Sequence, residues 1–227
     1  MNNMHTRVLV RLVMVAVFSA GIEAATAETF SFFNITNNNA GDAAIGEAQL
    51  FVDVTDPGPG QVLFTFYNIG PEDSSITDVF FDDGALLGIA EIDDSHPGVS
   101  FSIQATPNDL PGGNNADPPF ETTQGFSADS DAPVAPNGVD PGEWLGITFD
   151  LLPGMTFSDL LFDLGNESLR IGIHVQSFAS GGSESFINLP GCANDGNCDD
   201  GLFCNGIETC NAGTCLPGDD PCPGQEC

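Results

Sequence analysis

Asp195, Asn197 and Asp199 stand at alternate positions of Asp195-Gly196-Asn197-Cys198-Asp199-Asp200-Gly201. Side-chain oxygens at that spacing open an EF-hand-type calcium loop. The match then departs, because Asp200 takes the place of the turn glycine and Gly206 that of the bidentate glutamate. Calcium is one reading of these oxygens; a disulfide loop with polar turns is the other. The cysteines around them are Cys192, Cys198, Cys204, Cys210, Cys215, Cys222 and Cys227. Structural zinc sites are built on paired Cys-x2–4-Cys clips, which three spacings of five followed by one of four fit poorly. In an oxidising compartment such density reads as a disulfide framework.

Nucleophilic catalysis would need a histidine base, and beyond the first 27 residues only His96 and His174 remain. Ser183-Glu184-Ser185 offers hydroxyls, but no Gly-x-Ser-x-Gly elbow is present. Paired carboxylates for glycoside cleavage carry no signal here, since almost any two of so many acids could converge. The expectation is that the chain is not an enzyme. A glycan-binding reading is more specific. Arg170, His174 and Gln176 alternate with Ile171, Ile173 and Val175, so a strand would put them on one polar face, and the Trp144 indole could stack on a sugar. In the competing reading a carboxylate neutralises Arg170 and Trp144 belongs to the core.

The elements that would position these residues have period two. In Leu50-Phe51-Val52-Asp53-Val54, the residues Leu50, Val52 and Val54 face one way together with Ala48; Val62, Phe64 and Phe66 repeat the pattern. Further runs at 29–36, 76–81, 86–92, 99–105, 144–151, 169–178 and 185–189 are bounded by Gly, Pro, Asn or Asp. About nine short strands predict an all-β fold, a β-sandwich or jelly-roll with a phenylalanine-rich core. One segment has helical spacing at Phe157, Leu160, Leu161 and Leu164, with Thr156 and Asp159 as a capping box and Gly165 as a stop. It predicts one short helix covering an end of the core. Residues 105–142 read as a long loop, pinned by Phe120 and Phe126.

The first 27 residues read as a secretory signal peptide. Arg7 and Arg11 precede the apolar stretch from Leu12 to Ala20, and Ala25-Thr26-Ala27 supplies the small-x-small cleavage site. Three units follow: a signal peptide at 1–27, a β-sandwich domain at 28–190 and a cysteine-rich module at 191–227. The apolar run is too short for a membrane span, and no later segment is longer, so the mature chain is expected to be soluble. Cleavage removes Arg7, Arg11 and Glu23, leaving Arg170 as the one cation against 32 of the original 33 carboxylates. Nucleic acid and anionic membrane surfaces are repelled by such a chain, whereas divalent cations are attracted.

Gly46-Glu47-Ala48-Gln49-Leu50, Asp78-Val79-Phe80-Phe81-Asp82-Asp83-Gly84, Pro141-Gly142-Glu143-Trp144-Leu145-Gly146-Ile147 and the run from Leu169 to Phe178 resemble the ectodomains of bacterial PEP-CTERM proteins. The resemblance spans roughly residues 28–189 and implies export to a surface, matrix or extracellular location. The Pro-Glu-Pro motif, apolar helix and basic tail with which that family ends do not occur in these residues. The stretch from Cys192 to Gly206 is similar to Dickkopf-N-like cysteine-rich modules of bacterial surface proteins, which implies a structural or interaction role. Seven cysteines are an odd number, so either one thiol pairs with another chain or an eighth lies beyond Cys227. The expectation is a secreted or cell-surface protein of structural or interaction type, without a cofactor. Its partners would be extracellular polysaccharide or other envelope proteins. The alternative is a calcium-assisted carbohydrate-binding or adhesion module.

Overall fold

The computed structural model describes residues 27–189, 209–211, 214–216 and 218. The signal peptide expected up to Ala27 lies, apart from that residue, outside the described residues. So do Cys192, Cys198, Cys204, Cys222, Cys227, Asp195, Asn197 and Asp199.

Strand β1 (Ala27–Asn34) leads into helix α1 (Ala40–Gln49), followed by β2 (Leu50–Thr55), β3 (Gln61–Asn68), β4 (Ser75–Asp83), β5 (Leu86–Asp93), β6 (Phe101–Ile103), β7 (Ser127–Ser130) and β8 (Trp144–Leu151). Helix α2 (Phe157–Gly165), β9 (Leu169–Gln176) and β10 (Glu184–Asn188) complete the main unit, and β11 (Thr209–Asn211) pairs with β12 (Thr214–Leu216) in a separate hairpin. The fold is all-β. Ten antiparallel strands form one sheet in the order β5-β8-β3-β2-β1-β10-β9-β4-β7-β6. Strand β1 serves two neighbours in turn, Ala27–Ser31 pairing with β2 and Phe32–Asn34 with β10. The sheet rolls there until β5 comes alongside β6, so it is nearly closed.

Period-two alternation drives this closure. Val62, Phe64 and Phe66 on β3 are fully buried, as are Ile171, Ile173 and Val175 on β9, while their neighbours on β3 are half-buried. The inward phenylalanines meet across the roll. Phe81 of β4 lies 4.9 Å from Phe64 and 4.6 Å from Phe149, mostly tilted or edge-on. Such pairs add about 0.5–1.5 kcal/mol each beyond area burial. Helix α2 closes the core with Leu160 and Leu164, and its N-terminus carries the expected Thr156–Asp159 capping box. Gly165 is the last helical residue, and Asn166 forms the C-cap.

The structure departs from the sequence reading in two places. Ala48 and Gln49 belong to α1, not to a strand, so the described residues hold two α-helices where one was expected. Asn39 starts α1 by accepting from the amides of Gly41 and Asp42. Glycine at 41 and 46 hides the helix, since glycine weakens helix propensity by about 1 kcal/mol. Gly46 is nonetheless required, because a β-carbon there would lie 2.2 Å from the Phe186 ring. Second, the loop expected at 105–142 contains β7, a four-residue strand pairing with β4 and β6. That strand brings the main sheet to ten, against about nine expected. The rest of the loop is pinned as expected, Phe120 joining Phe80, Ala105, Leu110 and Ile187 in a small second core and Phe126 packing 5.3 Å from Phe149. Among the described residues no helix is long and apolar enough to cross a membrane.

Candidate functional site

Arg170, His174 and Gln176 do alternate on the outward face of β9, opposite buried Ile171, Ile173 and Val175. Arg170 and His174 are engaged differently, and Gln176 is half-buried at the end of the strand. The Arg170 guanidinium donates through Nε and Nη2 to Asp82, whose β4 position pairs with it across the strands. It also donates to the carbonyls of Pro118, at 2.6 Å, and Pro119, at 2.8 Å, with Phe120 beneath it at 5.3 Å. A charge-assisted fork of this kind fixes the 105–126 loop to the sheet. It matches the reading in which a carboxylate neutralises Arg170.

His174 Nδ1 lies 3.0 Å from Ser185 Oγ, which among the described residues resembles a base and its nucleophile. Burial pushes the imidazole pKa down, against the opposing charge of Glu184. Ser185, however, is completely buried. An attacking hydroxyl must reach substrate, and this one lies beneath its neighbours. The row continues across the sheet, His174 facing Asp78 and Asp78 facing Asp129. Burial pushes Asp78 up to about 7, opposed by the Thr77 hydroxyl and reinforced by the charge of Asp129 and a hydrogen bond to it.

Glu184 is also fully buried. Its carboxylate accepts from Asn34 Nδ2 at 3.1 Å, the Thr36 hydroxyl at 2.5 Å, and the amides of Asn38 and Asn39 at 3.1 and 2.6 Å. Burial alone would raise its pKa, but these donors together lower it. They hold the turn that starts α1. A second fastener links α1 to β3, where Gln49 Nε2 donates to Asn68 and Ser74 at 2.9 and 2.7 Å.

The structure does not bring Trp144 to the β9 residues. It starts β8, and four strands separate β8 from β9 in the sheet. Its neighbours are other aromatics. Phe51 of β2 pairs with Tyr67 of β3, and Tyr67 pairs with Trp144, so three rings occupy one register row on the outward face of adjacent strands. All three are half-buried. The His96 ring meets Trp144 at 5.9 Å, nearly perpendicular. The Tyr67 pKa is raised by burial and by Asp53 nearby, with the Thr65 hydroxyl opposing. Alternation in each strand already puts Phe51 and Tyr67 out of phase with the core. Their alignment with Trp144 depends on strand register, which no local pattern reveals.

Among the described residues no group of three or more His, Cys, Asp or Glu side chains could hold a metal ion. The acidic pair at 93–94 caps turns, Asp93 accepting from the Ser95 amide and Asp94 from that of Phe101. The cavity beside Arg170, about 250 Å³ and lined by Phe33, Asn115 and Ile187 among others, is below the usual size of a ligand pocket. In the separate hairpin, the backbone register sets Cys210 directly opposite Cys215. The chain matches no protein-family model, no curated protein and no solved structure.

Proposed function

We propose that this chain is an exported, non-enzymatic protein of structural or interaction type, acting at the cell surface or in the extracellular matrix. Its main unit is a β-sandwich of jelly-roll type, the two layers meeting at β1, and residues 191–227 form a disulfide module. One observation carries the reading: the side chains best suited to chemistry are fasteners of the scaffold. Arg170 ties a loop to Asp82, Glu184 ties the α1 turn, and His174 bonds a serine that substrate cannot reach. Three supports come from the sequence: the signal-like residues 1–27, the strongly acidic composition, and the resemblance to PEP-CTERM ectodomains.

Expression of residues 1–227 in a bacterial host, followed by fractionation and mass mapping of the mature N-terminus, tests this. The expected product begins at Glu28 and is found outside the cytoplasm. A chain retained in the cytoplasm with Met1 or Asn2 at its start would contradict the proposal.

A further inference from the structure

We propose that the outward row Phe51, Tyr67 and Trp144 binds a neutral, β-linked polysaccharide laid across strands β2, β3 and β8. Outward positions of a half-buried sheet normally carry polar side chains. Here three aromatic residues fall on consecutive strands in direct register, Phe51 to Tyr67 and Tyr67 to Trp144. Each is half-buried and retains some exposed surface, and aromatic side chains in a row that normally carries polar ones mark a place for a partner. Neighbouring strands lie about 4.8 Å apart, close to the length of one pyranose unit in a β-linked chain. Successive sugars crossing the strands would therefore meet successive residues of the row.

The polar surroundings fit hydroxyl-rich ligands. The adjacent register row holds Thr29, Asp53 and Thr65, and the Thr29 hydroxyl donates to one Asp53 oxygen, leaving the carboxylate a second oxygen for a sugar hydroxyl. Glu143 precedes Trp144 and lies 4.0 Å from His96. A protein partner lacking cations at these positions would bury the carboxylates without counter-charge, at a cost of several kcal/mol. Polyanions are excluded by the formal charge of −30. Arg170, the one cation among the described residues, is bound to Asp82 on the far part of the sheet. Neutral polysaccharide meets each constraint: it offers hydroxyl donors to the carboxylates and apolar ring faces to the aromatics.

The inference goes beyond export and surface placement. It is tested on the purified protein, so its failure would leave that reading standing. Trp144 is the only tryptophan in the chain, so its fluorescence reports on this row alone. Titration with cellohexaose and xylohexaose, and with polygalacturonate as the anionic control, is the experiment. A saturable change with a neutral hexaose is expected, weakened at least tenfold by Phe51→Ala and by Tyr67→Ala. Phe51→Leu and Tyr67→Leu keep apolar bulk while removing the ring face, and the same weakening is expected of them. Phe162→Ala, exposed on α2, should leave the titration unchanged. No change with either hexaose at millimolar concentration would overturn the proposal. So would affinity undiminished in the four row variants, or tighter binding of polygalacturonate.

Discussion

Asp78 on β4 and Asp129 on β7 face each other in register and share a hydrogen bond, with Asp78 buried beneath the outward surface of the sheet. Its folded pKa of about 7 stands above the unfolded value near 3.8. The stabilisation from this group is fully present below the unfolded value and is lost as pH rises through about 7. Asp78→Asn keeps the bond from Thr77 and can donate to Asp129, as a protonated carboxyl would. The variant should melt several degrees higher than the parent at pH 8 and nearly with it at pH 4, since about 1 kcal/mol moves the melting temperature of a domain this size by roughly 2–4 °C. Equal shifts at both pH values would contradict this account of the pair.

Glu184 titrates with the opposite sign. Its pKa is lowered in the fold, so its contribution is present above the unfolded value and lost as pH falls through the folded one. Glu184→Gln replaces an acceptor with an amide donor facing Thr36, Asn34 and two backbone amides. A loss of about 1–3 kcal/mol is expected at pH 7, read by urea unfolding, and it should shrink below pH 4.

At position 46, helix propensity and packing disagree. Alanine is the better helix former by about 1 kcal/mol, but its methyl would overlap the Phe186 ring. Gly46→Ala should destabilise by about 1–3 kcal/mol as the core makes room. A stabilised variant would mean that α1 does not dock on β10 as described.

The β unit contains no cysteine, and all seven lie in residues 192–227. Three intrachain bridges are expected there, each contributing about 2–4 kcal/mol to the tail alone. Thiol reduction should change the tail's protease sensitivity and leave the main melting transition in place. A main transition that falls on reduction would show the two units to be coupled.

Residues whose partners are local were readable in advance. Val62, Phe64 and Phe66 declare an inward face by alternation, and Thr156 with Asp159 declares a helix start three residues long. Strand β8 begins and ends at the residues its pattern predicts. Other features depend on contacts distant in sequence. Helix α1 carries a glycine that is required only because Phe186, 140 positions later, leaves no room for a β-carbon. Strand β7 is short and mostly polar, so only its pairing with β4 and β6 identifies it. For the site, the polar face of β9 was legible, while the Asp82 partner of Arg170 and the alignment of Phe51 and Tyr67 with Trp144 follow from register.

The central claim is that this surface binds its partner and does not transform it. Native electrophoresis through a gel containing the dissolved neutral polysaccharide tests that directly, with reducing ends assayed in the same gel. Parent protein and His174→Ala should both be retarded, Tyr67→Ala should run freely, and no reducing ends should appear. Unretarded parent protein, or reducing ends released by the parent but not by His174→Ala, would contradict it.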